Sequence, residues 1–295
     1  MNRPRADAAT IRPPAPAIAH NDLLIVPDYF EALRARGLDS LDGLFSVTND
    51  ESLSKPGLDP WRERLRLTLK IAGTERTFYL KRFRNPPAGA RREVRRAGCR
   101  ASSMAGLEWN RIHELTRDGI PCPRPVALGE EFHGRKERRS AVLTAAVPGD
   151  SLECWAIRWS KENRPTVRKL IPVVADLVAR FHGHGYIHRD LYLSHIFYDR
   201  MVAFDESLHL IDLQRVMRPG WNRRRWIVKD LAALNYSTPV HLVSQTDRVR
   251  WLKHYLGLVK LDHSARRLLY RVVGKTQRMA WHDPLLTERW HERQA

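Results

Sequence analysis

Tyr186-Ile187-His188-Arg189-Asp190-Leu191-Tyr192-Leu193-Ser194-His195-Ile196-Phe197 is followed, after a turn, by Leu208-His209-Leu210-Ile211-Asp212-Leu213-Gln214. Asp190 comes after a long helical pattern, and Asp212 closes a short apolar strand. Helix, His-Arg-Asp loop, hairpin and strand-terminal aspartate, in that order, suit phosphoryl transfer. That chemistry needs a carboxylate near the attacking hydroxyl and a second carboxylate to hold Mg²⁺ against the phosphates. It also needs a lysine to neutralise phosphate oxygens as charge moves. Asp190, Asp212 and Lys81 can fill these roles, and Glu108 can hold Lys81 by an ion pair.

Upstream of the loop, Leu170, Val173, Val174, Leu177, Val178 and Phe181 recur at helical spacing and make one apolar stripe. Pro172 sits in its first turn or kinks it, and Gly183 and Gly185 end it. Further back, Arg64-Leu65-Arg66-Leu67-Thr68-Leu69 alternates. With the Gly73 turn and Thr77-Phe78-Tyr79-Leu80-Lys81-Arg82-Phe83 it predicts a β-hairpin. A lysine inside such a strand is ordinarily exposed. A basic connector, Arg91-Arg92-Glu93-Val94-Arg95-Arg96, leads to a helix capped by Ser102 or Ser103 and stopped by Gly119. Its apolar positions are Met104, Leu107, Ile112 and Leu115, and Glu108 within it is by default solvated. Pro121, Pro123 and Pro125 break the chain. A second hairpin then runs from Val126 through Gly129 and Gly134 to Ala141 and on to Val147, where Pro148-Gly149 ends it. Residues 29–36 predict a short helix, followed up to residue 60 by an irregular strand. Beyond Asp212, helices are expected over 228–236, 247–255 and 263–279. Strands, helix and strands in the first half, with helices in the second, predict an α+β chain. No internal repeat is visible.

The chain has 295 residues, of which 43% are apolar. This length allows one or two domains with a core that needs no staples. The 3 cysteines are Cys99, Cys122 and Cys154. They are scattered and form no CxxC pair, as expected of a reducing cytosol. No run reaches the roughly 18 apolar residues of a membrane span. The first twenty residues, rich in Pro, Ala and Arg, lack the apolar segment of a secretory signal and are expected to be a disordered tail. The 51 Lys+Arg against 33 Asp+Glu leave a formal net charge of +18. Such a surface attracts phosphates, on nucleic acid, an anionic membrane or a phosphorylated substrate. An arginine-rich proteome would produce the same balance.

A His-Arg-Asp triplet alone is a weak signal; co-occurrence carries the reading. With Lys81, Glu108 and the Pro148-Gly149 break, the segments His188-Arg189-Asp190-Leu191-Tyr192-Leu193-Ser194-His195 and Ile211-Asp212-Leu213-Gln214-Arg215 resemble the lipopolysaccharide core kinases. These are the bacterial kinases of inner-core heptose or Kdo sugar. Arg225-Trp226-Ile227-Val228-Lys229-Asp230-Leu231-Ala232-Ala233-Leu234, Phe78-Tyr79-Leu80-Lys81-Arg82, Gly119-Ile120-Pro121-Cys122-Pro123 and Val126-Ala127-Leu128-Gly129-Glu130 add to the resemblance. It covers roughly residues 60 to 260.

The resemblance implies a bilobal protein-kinase-like fold with an N-lobe at 21–147, a C-lobe at 148–295 and ATP bound between the lobes. It implies that Lys81 binds phosphate and that Glu108 is its helix partner. Asp190 would orient the sugar hydroxyl and accept its proton. Asp212 would hold Mg²⁺, and Asp230 would brace the loop. Thr144, Ala145, Ala146 and Val147 would meet adenine through backbone groups. Three departures stand out. Only Gly43 and Gly57 stand where a Gly-rich loop is usual, so phosphate cover falls to other backbone or to arginines. Gln214 replaces the glycine of the DFG triplet. His195 replaces an asparagine; it is a candidate metal ligand, or a hydrogen-bond partner of Asp190 or a phosphate, since Mg²⁺ prefers oxygen.

His182, His184 and His188 have zinc-like spacing but no fourth ligand, and a helix end followed by the loop histidine explains them equally. Trp221 to Trp226, with Arg223, Arg224 and Arg225 between, is an anion or membrane-surface patch or a solvated loop. The expected partners are a lipid-linked sugar at the inner membrane surface and the anionic membrane itself, with no nucleic acid, for a cytoplasmic and monomeric protein. Rival readings are a kinase of the same fold with a small-molecule or protein acceptor, a pseudokinase scaffold, and a basic nucleic-acid-binding protein. The last lacks any recognisable readout module.

Overall fold

A computed structural model describes residues 16–48, 51–52, 59–96, 103–159 and 163–282. The sequence readings at Gly57, Cys99 and Ser102, and residues 1–15 of the expected tail, lie outside them. The chain divides into two compact units, Met1–Val147 and Pro148–Ala295.

The first unit is built on a seven-stranded sheet in the order β1-β2-β6-β7-β5-β4-β3. Its strands are β1 (Ile18–His20), β2 (Leu23–Ile25), β3 (Glu51–Ser52), β4 (Arg62–Ile71), β5 (Thr74–Arg84), β6 (Pro125–His133) and β7 (Lys136–Ala145). Every neighbour pair is antiparallel. The expected tail therefore ends sooner, because Ile18 pairs with Ile25 across a turn at Asn21. Leu65, Leu67 and Leu69 of β4 face the core with Phe78 and Leu80 of β5, as alternation requires. The second hairpin leaves its strand at Ala145, before Val147.

Among the described residues, four α-helices accompany the sheet: α1 (Phe30–Ala35), α2 (Leu41–Ser46), α3 (Ala88–Arg96) and α4 (Met104–Arg117). Two of them correct the sequence reading. Residues 41–46 are helical where an irregular strand is expected. Ser40 caps α2 by accepting from Gly43 N–H at 3.0 Å. Arg82, buried on β5, donates to the carbonyls of Leu44, Phe45 and Val47 at 3.1, 2.9 and 3.0 Å. A cation thus sits on the negative end of a short helix, from a strand distant in sequence. The basic connector is helix α3, which buries Ala90 and Val94 among its described side chains.

Helix α4 packs against β5, β6 and β7. Ser103 caps it by accepting from Gly106 N–H at 2.8 Å, and the Ser103 hydroxyl donates to Glu130. Glu137 accepts from Met104 N–H at 3.1 Å, and Ser140 from Ala105 N–H at 3.3 Å. Two carboxylates of the β6–β7 hairpin so face the positive end of the helix. A Cβ at Gly106 would lie 2.5 Å from a Glu130 oxygen, so a larger residue would displace that carboxylate. These contacts set the rotation of α4 and hence where Glu108 points.

The second unit contains a small sheet of β8 (Asp150–Ser151), β9 (Ile196–Tyr198) and β10 (Leu208–Leu210). Its helices are α5 (Leu152–Arg158), α6 (Arg164–Gly183), α7 (Arg223–Ser237), α8 (Gln245–Leu256) and α9 (His263–Trp281). Helix α6 packs on α8, and α7 on α9. Pro172 lies inside α6 and not in its first turn; Pro165 occupies that place. Gly149, at φ +78°, passes so close to the Tyr198 carbonyl that a Cβ would lie 2.2 Å from its oxygen. Any larger residue would push the start of this unit off its sheet. Among the described residues, no helix is long and apolar enough to cross a membrane.

Candidate active site

The His-Arg-Asp loop leaves α6 through Gly185, whose φ of +88° suits glycine. Ile187 then exchanges backbone hydrogen bonds with Met217 at 2.9 and 3.0 Å. Asp230, fully buried on α7, holds the next turn. It accepts from the backbone N–H of His188 at 2.6 Å and of Arg189 at 2.8 Å. Its third donor is His182 Nε2, at 3.3 Å. His182 Nδ1 is 2.8 Å from the Tyr255 hydroxyl. Burial pushes Tyr255 up to about 12, so the hydroxyl keeps its proton and donates to the ring. Arg189 takes φ +74°, a left-handed conformation that non-glycine residues rarely adopt. The Asp230 carboxylate holds that strained turn in place.

His195 Nδ1 lies 2.7 Å from the Asp190 backbone carbonyl. A carbonyl only accepts, so Nδ1 carries the proton. In the neutral ring the Nε2 lone pair then faces Asp212, whose Oδ2 is 3.9 Å away. Asp212, two residues beyond β10, stands at φ +56° and opens the short turn Leu213–Arg215. Ile211 N–H donates to the His195 carbonyl at 3.0 Å, and His188 Nε2 donates to the Ile211 carbonyl at 3.0 Å. Asp190, His195 and Asp212 are thereby locked into one small frame. Each of their side chains remains partly exposed.

One site residue escaped the sequence reading. Arg215 Nη1 donates to both Asp190 oxygens, at 2.8 and 2.7 Å. An acceptor hydroxyl reaching Asp190 must share the carboxylate with Arg215 or displace it. The only signal in the sequence is a cation three residues after Asp212.

In the first unit, Lys81 Nζ donates to Glu108 Oε1 at 2.7 Å. Glu108 is 3% exposed, and the Lys81 side chain 13%. Neither residue takes its ordinary exposed place. Lys81 pairs in register with Arg64, so both side chains lie on one face of the sheet. Of the four residues expected to meet adenine, Ala145 N–H donates to Arg124 O at 2.9 Å and Ala146 N–H to Thr77 O at 2.9 Å. Thr144 is buried within β7.

The zinc-like spacing does not gather ligands. His182 and His188 serve Asp230 and the Ile211 carbonyl, and no cluster of three or more His, Cys, Asp or Glu that could hold a metal exists among the described residues. Burial lowers the pKa of His188, His113 and His209. Each ring stays neutral in the fold at a pH where the unfolded ring already takes up a proton. Stability is therefore full above the unfolded value of about 6.5 and is lost as pH falls through the lower folded values. The urea midpoint should drop between about pH 7 and pH 5, and His113→Gln should flatten that drop. An equal slope in the variant would remove His113 from the account.

The model of the lipopolysaccharide kinase (Kdo/WaaP) family matches residues 90–255, which span α4, the loop and Asp230. The chain belongs to that family. Within it, the chain is 32% identical over 157 residues to the lipopolysaccharide core heptose(I) kinase WaaP of Pseudomonas aeruginosa, covering 51% of this chain and 59% of that protein. Against the enzyme of the same name from Escherichia coli strain K12 it is 32% identical over 161 residues, or 52% and 60%. The matches thus span about three-fifths of these relatives' length. A solved structure, WaaP in complex with acyl carrier protein, superposes with a TM-score of 0.62 at 24% identity, covering 88% of this chain and 97% of that one. The family membership and the superposition establish the α+β, protein-kinase-like fold.

Proposed function

We propose that this family member is an ATP-dependent kinase of a sugar hydroxyl, heptose or Kdo, in the lipopolysaccharide inner core. The observation that carries the reading is the 2.7 Å ion pair of Lys81 with the buried Glu108. A strand lysine pinned by a helix carboxylate is the phosphate-holding arrangement of protein-kinase-like enzymes. Two relatives named heptose(I) kinases favour heptose as the acceptor.

In this reading Lys81 binds nucleotide phosphate oxygens while Glu108 keeps its ammonium in place. The Val147 N–H serves adenine, since Ala145 and Ala146 have spent theirs. Asp190 orients the acceptor hydroxyl and takes its proton. The sugar oxygen bonds to the γ-phosphorus as the bridging P–O bond breaks, and ADP leaves. Asp212 suits Mg²⁺, an ion commonly held by one or two carboxylates together with phosphates and water. When bound, the ion supplies charge neutralisation at those phosphates. His195 Nε2 stands beside Asp212 as a second donor, though nitrogen is the poorer ligand for this ion.

The acceptor is lipid-linked, and contact with the inner membrane from the cytoplasmic side follows from that. Trp221, 82% exposed, next to exposed Arg223, Arg224 and Arg225 on the first turn of α7, supports such contact. Cations near an anionic leaflet gain about 1 kcal/mol each.

The test is radiolabelled ATP with Mg²⁺ and a heptose- and Kdo-containing lipid extract. Label should enter the lipid with acceptor-dependent ADP release. Nucleotide binding without any lipid labelling would overturn the acceptor assignment, and absence of nucleotide binding would overturn the kinase reading.

A further inference from the structure

Helix α9 presents two faces of opposite character. One packs on α7: Ala265 and Val272 are buried, and the Thr276 hydroxyl accepts from Asn235 of α7 at 3.0 Å. On the other, Tyr270 is 75% exposed, Trp281 86% and Val273 40%. With 3.6 residues to a turn, Tyr270 and Trp281 lie about 20° apart around the axis and about 16 Å apart along it. They form one line on the outward side. Arg266 and Val273 flank that line on one side and Arg267, Arg271 and Arg278 on the other, all exposed and within about 100° of it.

No acid tempers this face. Helix α9 contains no Asp or Glu, and Asp262, just before it, caps it by accepting from the Ala265 N–H at 2.7 Å. Among the described residues, no carboxylate pairs with Arg266, Arg267, Arg271 or Arg278. Arg267 and Arg271 stand four residues apart, a spacing at which like charges weaken a helix. Two large rings in water forgo the gain of burial. A surface that is apolar within and anionic at its edge relieves both costs. Tyr and Trp rings settle at headgroup level, and arginine stems lie along the acyl boundary while their guanidiniums stay among phosphates.

We propose that α9 lies flat on an anionic lipid leaflet, with Tyr270, Val273 and Trp281 at the headgroup–acyl boundary and the four flanking arginines on lipid phosphates. A nucleic acid is the poorer fit. Single strands are held in a charged groove that tracks their backbone, whereas this face is the outer side of one helix. The surface is separate from the Trp221 segment at the start of α7. It goes beyond the kinase reading and stands without it, because lipid binding is read with neither nucleotide nor acceptor present.

Full-length protein sedimented with vesicles tests it. Vesicles of phosphatidylglycerol mixed with phosphatidylcholine should carry the protein down, vesicles of phosphatidylcholine alone should not, and added salt should release it. Arg266→Gln with Arg267→Gln should weaken the partition about 30-fold, the scale of two charges at an anionic leaflet. Tyr270→Ser with Trp281→Ser should weaken it about tenfold. All four side chains are exposed, so the urea midpoint should hold in both variants. Arg135→Gln with Lys136→Gln removes the same charge from the exposed β6–β7 turn and should leave binding intact. An equal loss there would reduce the effect to net charge and overturn the α9 surface. Binding that survives the α9 changes but is lost when Arg223, Arg224 and Arg225 become Gln would assign the membrane to α7. That result would overturn the proposal and leave the acceptor assignment untouched. A short RNA bound through Arg266 and Arg267, with vesicles ignored, would overturn lipid as the occupant.

Discussion

Asp190→Asn is expected to lower the phosphoryl-transfer rate by about 10²–10⁴ while nucleotide binding persists. The amide matches the carboxylate in shape but cannot take the acceptor's proton. The frame around it does not depend on the side-chain charge. The Asp190 backbone carbonyl accepts from Tyr192 N–H at 2.9 Å and from His195 Nδ1 at 2.7 Å, and both bonds survive the exchange. Arg215 loses a bidentate anion, yet it is half exposed and water can replace that partner. The loss should therefore appear in kcat, with little change in ATP KM or in the urea midpoint. A variant retaining more than about a tenth of wild-type kcat would remove Asp190 from the proton-accepting role.

Asp230→Ala should destabilise the second unit by about 3–5 kcal/mol. The side chain is fully buried and is the acceptor for two backbone N–H groups and a histidine ring. Alanine leaves those donors in an apolar interior with no oxygen to receive them, and each unpaired group costs about 1–3 kcal/mol. Arg189, held at φ +74°, would lose the bond that keeps it there. The urea midpoint should fall, and activity should fall with it because Asp190 is the next residue. Asp230→Asn keeps an acceptor oxygen but turns an NH₂ toward one of the donors, so it should lie between wild type and alanine. A loss below about 1 kcal/mol in the alanine variant would mean that other groups hold the loop.

The hairpins were legible because alternation is a local pattern. Leu65, Leu67 and Leu69 need one covered face, and β4 provides it. Helix α4 was legible for the same reason, with an apolar stripe after a serine and a glycine at its end. Helix α2 was not legible, since the Arg82 guanidinium that completes its C-terminus comes from β5. Among its described side chains helix α3 buries Ala90 and Val94, a stripe too short to show against its arginines. Glu108 reads as solvated until α4 is rotated toward β5 by Glu130, Glu137 and Ser140.

The order of chemical groups along the chain already specifies an α+β chain with a phosphoryl-transfer motif, because strand alternation, helical stripes and motif spacing are local properties of a polymer. Which charges meet is another matter. Arg215 reaches Asp190 across 25 residues, and Asp230 reaches His188 across 42. Neither pairing has a period or a spacing rule. Both exist only after α7 and the Leu213–Arg215 turn pack beside the loop. Burial then turns an ordinary aspartate into the acceptor that holds a strained turn, and proximity sets the Arg215 guanidinium on the Asp190 carboxylate.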